Sequence, residues 1–112
     1  MKINGIELKD IDLLDADVME NVEIATENVM KDIEEVKKTK SYSEAIRKQC
    51  TAIFEYFNTI FGEDTDREIF GDKTNLRECL NAFKEFQVYI EDQMQTANKE
   101  FSITEIKGKR RK

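Results

Sequence analysis

"SYSEAIRKQCTAIFEYFNTIFGEDTDREIFG", residues 41–71, carries the pattern that decides the fold. Ser41 and Glu44 have the spacing of a capping box, in which each side chain satisfies a backbone N–H left free at a helix start. Apolar residues then recur at three- and four-residue steps and share one helical face: Ile46, Cys50, Ile53, Phe57 and Ile60, with Phe54 and Phe61 widening the stripe. Gly62 stands where a left-handed residue would end the helix. We therefore predict a helix over residues 42–61.

The same stretch contains the tripeptide Ile-Phe-Gly twice, at residues 60–62 and 69–71. Thr65 and Glu68 repeat the capping-box spacing, and Gly71 can close one short helical turn. Each Ile-Phe pair would then pack inward just before a glycine that reverses the chain. A short connector helix is favoured over a ligand-binding loop, and Gly62 and Gly71 are predicted to terminate helices.

Two further long helices and a hairpin flank this stretch. Over residues 16–38, apolar residues recur at helical steps after Asp15, which is placed to cap the helix. Over residues 75–101, a heptad-like stripe follows Asn75: Leu76, Leu80, Phe83, Ile90, Met94, Ala97 and Phe101. Asn4-Gly5 is typical of a type I′ turn and predicts a hairpin within residues 1–10.

The predicted fold class is mainly α, with three long helices plus a short connector helix and a small N-terminal β-hairpin. A chain of 112 residues with no break in composition favours one domain, residues 1–106. Residues 1–106 hold 13 basic and 24 acidic residues, whereas "KGKRRK", residues 107–112, carries five positive charges. We expect an acidic helical body and a basic, flexible tail. "SITEIK", residues 102–107, fits either the end of the last helix or a short strand.

Residues with catalytic or metal-binding chemistry are scarce. The chain has no histidine, which removes the commonest general base and metal ligand. Cys50 and Cys79 fall on apolar stripes, where two buried thiols are expected. A calcium loop beginning at Asp64 would need glycine and glutamate at its sixth and twelfth positions, which hold Ile69 and Asn75. The glycines also lack the Gly-Lys-Ser/Thr of a phosphate loop. We predict no enzymatic activity, no cofactor and no metal site.

The charge distribution and hydropathy bear on location and partners. An acidic body argues against a broad nucleic-acid footprint, and the basic tail has no aromatic residue to stack on bases. The N-terminus "MKINGIELKD" lacks the apolar core of a secretion signal, and no stretch reaches membrane-spanning length. A cytoplasmic protein that binds neither membrane nor, as its main role, nucleic acid is expected.

The order of these features resembles a family of small proteins of Gram-positive phages and prophages, the tail assembly chaperones and tail-completion proteins. The resemblance rests on "KINGIEL", the acidic first helix, "AIFEYFNTIFGEDTDREIFGDKTNLRECLNAFKEF" and the basic C-terminus. It implies a noncatalytic tail assembly chaperone that binds the tape-measure protein during tail morphogenesis in the bacterial host cell. The alternative is a structural tail-completion or head–tail adaptor retained in the virion, and a third is a small nucleic-acid-binding regulator.

An interaction protein of this kind needs accessible apolar residues. The candidates are those at the connector or at the edge of a stripe: Ile69, Phe70, Phe86, Tyr89 and Phe101. The stripe centres are expected in the core instead: Ile46, Ile53, Phe57, Leu80, Phe83 and Ile90. The heptad-like last helix could also pack on its own copy, which predicts a homo-oligomer as an additional partner.

Overall fold

The computed structural model describes residues 1–103, with one hairpin and four α-helices in that range. The hairpin consists of β1 (Lys2–Ile3) and β2 (Ile6–Glu7), and the helices are α1 (Ala16–Glu35), α2 (Tyr42–Phe61), α3 (Thr65–Phe70) and α4 (Leu76–Phe101). The predicted mainly α class, with three long helices, a short connector helix and an N-terminal hairpin, is confirmed. Residues 104–112 lie outside the described residues, and with them the predicted basic tail and most of "SITEIK".

Each long helix begins at a side-chain cap that the sequence predicts. Asp15 Oδ1 accepts hydrogen bonds from two backbone N–H groups of the first turn of α1, at 2.9 and 3.2 Å. Ser41 Oγ and Asn75 Oδ1 each accept one from the N–H three residues on, at 3.2 and 3.0 Å. These bonds satisfy donors that a helix start leaves free, so the three helix starts are set locally.

The first helix ends at Glu35, three residues before the predicted end at residue 38. Residues 36–38 form a tighter 3-10 turn. Thr39 closes it, because its backbone N–H and its hydroxyl both donate to the carbonyl oxygen of Val36, at 3.0 and 2.7 Å. The turn satisfies a carbonyl at the helix end and directs the chain into α2.

Gly62 and Gly71 terminate α2 and α3, as predicted. Their N–H groups donate to the carbonyl oxygens of Asn58 and Arg67, both at 2.9 Å. The backbone φ is +115° at Gly62 and +64° at Gly71, with ψ at 163° and −134°. The left-handed helical conformation predicted for Gly62 is therefore wrong. Both glycines occupy regions that other residues enter only with strain.

The predicted capping box at Thr65 and Glu68 does not form. Thr65 is the first residue of α3, and its hydroxyl donates backwards to the carbonyl oxygen of Gly62 at 2.7 Å. The free N–H of Asp66 is satisfied instead by Asn58 Oδ1, at 2.9 Å. The α2 helix thus caps α3 from outside, because the sharp turn at Gly62 brings the two helices together.

The hairpin packs against α4, and a two-stranded hairpin needs such a packing partner to be stable. Asn4 and Gly5 both have positive φ, +51° and +79°, as the predicted turn requires. The Asn4 side-chain N–H donates to the carbonyl oxygen of Glu78 at 2.9 Å, and Asn81 Nδ2 donates to Asn4 Oδ1 at 2.7 Å. One turn residue therefore sets the register of the hairpin and fixes it to α4.

The α2 helix packs against both α1 and α4, and its contact with α1 is the more extensive. The α1 and α2 helices are antiparallel, because only residues 36–41 connect them and the two helices pack extensively against each other. The α2 and α4 helices run in the same direction, because Cys50 contacts Cys79 and Phe57 contacts Phe86 further along both helices. The α3 helix and the loop after it carry the chain from the end of α2 back toward its start, so that α4 can run parallel to α2.

Candidate interaction surfaces

The five residues predicted as interaction candidates divide into a buried and an accessible group. Ile69, Phe70 and Phe86 are 7%, 4% and 0% exposed and belong to the core. Tyr89 is partly buried against that core, and Phe101 is 59% exposed at the end of α4. The edge positions assigned to the first three residues are wrong, and only Tyr89 and Phe101 remain accessible to a partner.

Two of the buried candidates, Phe70 and Phe86, belong to a cluster of aromatic rings. The Phe70 ring lies 5.2 Å from that of Phe54 and 6.1 Å from that of Phe57. The Phe86 ring lies 5.9 Å from that of Phe57 and 5.5 Å from that of Phe61. Such tilted and edge-to-face pairs stabilise a core beyond the area they bury. The connector helix folds back over α2, which covers it instead of presenting it to solvent.

The six stripe positions predicted for the core also divide by burial. Ile53 and Phe57 are buried, Phe83 and Ile90 are partly buried, and Ile46 and Leu80 are 37% and 45% exposed. The core prediction is therefore wrong for Ile46 and Leu80. Ile46 lies in the first turns of α2 and Leu80 in the first turns of α4. Within residues 1–103, no other element covers these two side chains fully.

One groove with both apolar and polar lining residues lies at the end of α4, and we call it the terminal groove. It has a volume of about 270 Å³ and is bounded by the segment before α1 and the last turns of α4. Its apolar residues are Ile11, Leu13, Leu14, Met94, Ala97 and Phe101. Phe101 and Leu14 are 59% and 49% exposed, so both can contact a partner.

Acidic residues stand beside this apolar surface. Asp12 and Glu100 line the terminal groove. The Asp12 carboxylate also accepts a hydrogen bond from the N–H of Leu14 at 3.0 Å, which fixes the loop that carries this leucine. The groove therefore suits an apolar side chain that has a lysine or arginine nearby. Leu14 was not among the predicted site residues, although an apolar pair directly before a helix cap was a signal that could have indicated it.

The three long helices are linked by polar side chains at one level, which we call the crossing point. Gln87 Nε2 on α4 donates to the Tyr56 hydroxyl on α2 at 2.9 Å. The Thr26 side chain on α1 lies close to the same hydroxyl, and burial raises the pKa of Tyr56 above its usual value. Polar groups of the three long helices therefore come together at this level.

The spacing of apolar residues along α1 and α4 indicates a second apolar surface, which we call the side groove, between the crossing point and the start of α4. On an α-helix, residues four, seven or eleven positions apart lie on the same face. The residues of the side groove on α1 and α4 are at these distances after Thr26 and before Gln87. They are Met30 and Ile33 on α1 and Leu76, Leu80 and Phe83 on α4, with Ile46 on α2. Met30 and Leu80 are 58% and 45% exposed, so this part of the stripe is open.

The two cysteines are buried and adjacent. Cys50 on α2 and Cys79 on α4 are free thiols with 0% exposure, and they lie close enough to influence each other's pKa. Burial raises the pKa of both thiols, and the neighbouring Cys50 raises that of Cys79 further. The thiolate is the reactive form of cysteine, and a raised pKa disfavours it. We therefore interpret both cysteines as packing residues of the α2–α4 contact.

This burial predicts slow thiol modification. At pH 8, iodoacetamide should alkylate the folded protein at least about 100-fold more slowly than the urea-unfolded chain, because access requires opening of the core. Mass spectrometry of timed samples measures the two rates. Because the folded state holds the thiol protons more tightly, their contribution to stability should be lost as the pH rises above the ordinary thiol pKa of 9.0. Rapid labelling of either cysteine in the folded protein would contradict the packing.

Metal ligands and membrane-spanning segments can be assessed for residues 1–103. No group of three or more Cys, Asp or Glu side chains in that range is arranged to hold a metal ion. No helix in the same range combines the length and apolar character needed to cross a bilayer.

Comparison with known proteins places the chain in a family. Residues 4–112 match the model of a family of unknown function, DUF6673, and the chain belongs to that family. Neither a curated protein nor a solved structure matches it. The resemblance to tail assembly chaperones therefore stays a prediction.

Proposed function

We propose that the chain is a noncatalytic tail assembly chaperone of a phage or prophage, acting in the cytoplasm of the bacterial host cell. Its partner is the tape-measure protein, which it holds during tail morphogenesis. The observation that supports this proposal is the terminal groove, where Phe101 is 59% exposed beside Leu14. An exposed aromatic residue beside a groove that holds further apolar side chains is a typical anchor for a partner helix.

The size of this surface fits a temporary contact. Burying Phe101 or Leu14 contributes about 1.5–3 kcal/mol each before the cost of association is subtracted. A contact of this strength helps to cover apolar side chains of an aggregation-prone helix. It is also weak enough to be displaced when tube subunits arrive.

The charge of the body supports the same role. Residues 1–103 hold 13 of the 18 basic residues and 23 of the 24 acidic residues, a formal charge of −10. A high net charge of one sign keeps a complex soluble through repulsion between copies. It also favours a partner segment that carries lysine or arginine around its apolar residues.

Substitution of Phe101 by glutamate tests the groove. We expect Phe101→Glu to weaken binding to the co-expressed tape-measure protein at least about tenfold, a loss of about 1.4 kcal/mol, because it removes the anchor and adds repulsion at an acidic site. Purified complexes can be compared by pull-down and isothermal titration calorimetry.

Ile24→Glu provides the matched control for this substitution. Ile24 is 44% exposed on α1, on the face away from the buried stripe, so its replacement changes charge and hydropathy elsewhere. This variant should bind as the wild type does. Unchanged binding by Phe101→Glu, or an equal loss in both variants, would remove the terminal groove as the contact.

A further inference from the structure

The α1 wall of the side groove has an acidic edge. Glu27 and Glu34 lie three residues before and four residues after Met30, so both flank it on the same side. Both glutamates are exposed. Glu34 makes only an exposed ion pair, with Lys37 of the following 3-10 turn at 3.1 Å, which contributes little and can be exchanged.

The α4 wall has a basic edge with the same spacing. Arg77 and Lys84 lie three residues before and four residues after Leu80, and both are exposed. Within residues 1–103, Glu27, Arg77 and Lys84 have no ion-pair partner. The side groove therefore combines an open apolar floor with opposite charges along its two sides.

We propose that a second copy of this chain covers the side groove and forms a twofold symmetric dimer. A twofold axis parallel to the helices places α1 of one copy over α4 of the other, in antiparallel orientation. Acidic edges then face basic edges on both sides, and Met30 packs beside Leu80 of the second copy. A surface with such oppositely charged edges is complementary to itself, as a symmetric interface requires.

The axial positions of the charges agree with this arrangement. At 1.5 Å per residue, Glu27 lies about 1.5 Å beyond the crossing point and Lys84 about 4.5 Å beyond it. The second pair is further along, with Glu34 at about 12 Å and Arg77 at about 15 Å. An axis parallel to the helices preserves these heights. Each glutamate therefore faces a basic residue of the second copy with an offset of about 3 Å, which side chains of this length span easily.

The dimer does not depend on the tape-measure assignment. The side groove lies toward the start of α4, whereas the terminal groove lies at the other end of that helix. Partner binding at the terminal groove and self-association at the side groove can therefore be measured separately.

Sedimentation equilibrium of the full-length protein at 1–200 μM in 150 mM salt tests the proposal. The chain has a mass of 13.1 kDa, and we expect the weight-average mass to approach twice that value as concentration rises. Leu80→Glu should raise the dissociation constant at least about 30-fold, as loss of a central apolar contact does. Ile24→Glu is the control, since Ile24 is 44% exposed on α1 on the other side of the crossing point from the side groove and should leave the dimer unchanged.

Charge reversal identifies the pairing. Lys84→Glu and Glu27→Lys should each raise the dissociation constant about tenfold, since symmetry places two such pairs in every dimer. The variant with both substitutions should recover most of the wild-type affinity. Circular dichroism confirms that each variant is folded. A wild type that stays monomeric at 200 μM would overturn the proposal and leave the groove to a different partner. A dimer that Leu80→Glu does not weaken, or a double variant that recovers nothing, would overturn the interface.

Discussion

Replacing Phe86 with alanine should lower the free energy of unfolding by about 3–5 kcal/mol, the usual cost of removing a fully buried aromatic side chain. Phe86 is 0% exposed, and its ring lies within 5.9 Å of the rings of Phe57 and Phe61, measured between ring centroids. The cavity left by the substitution lies between α2 and α4, so the parallel helix pair loses its main contact. Urea unfolding followed by circular dichroism measures the change.

Phe101→Ala is the matched control for this prediction. Phe101 is on the same helix and is 59% exposed, so its truncation should change the free energy of unfolding by less than about 0.5 kcal/mol. If Phe86→Ala were as stable as the wild type but bound partners poorly, Phe86 would be a surface contact and the aromatic core would be wrong.

Replacing Gly71 with alanine should lower the free energy of unfolding by about 1–3 kcal/mol, the cost of holding a side-chain-bearing residue in a strained backbone region. Gly71 has φ +64° and ψ −134°. A Cβ at this position would meet no neighbouring atom within 4 Å, so the cost comes from the backbone and not from a clash. The measurement is again urea unfolding.

Asp72→Ala is the control, because Asp72 is the exposed neighbour in the same loop. It should leave the stability within about 0.5 kcal/mol of the wild type. Equal stability of Gly71→Ala and the wild type would show that the connector does not need the positive φ seen at its end.

The helices were predictable because their signals are local. Asp15, Ser41 and Asn75 cap helix starts through bonds to residues two or three positions away, and Asn4-Gly5 forms the turn its types favour. The Thr65–Glu68 capping box failed for a nonlocal reason. The turn at Gly62 brings the Asn58 side chain to the start of α3, where it replaces the expected cap.

Exposure along the stripes was less predictable, because it depends on which helix lies opposite. Phe86 and Leu80 belong to one wide apolar face, yet the first packs against α2 and the second is 45% exposed. Ile69 and Phe70 are buried because α3 folds back on α2. Periodicity identifies the face of a helix but not its neighbour.

The two proposed surfaces have a joint consequence. A dimer formed through the side groove would leave both terminal grooves open, one on each copy. Two such sites on one particle can bind two segments of a long helical partner, and linked binding events raise the overall affinity without new contacts. Leu80→Glu would then weaken binding of a long partner while leaving the affinity for a single short segment unchanged.

The most direct test of the proposed function is co-expression of the wild-type chain with the tape-measure protein encoded beside it, followed by centrifugation and pull-down at low and high salt. We expect the tape-measure protein to move from the pellet to the supernatant and to co-purify with this chain. A tape-measure protein that stays insoluble and forms no complex at either salt concentration would contradict the chaperone function.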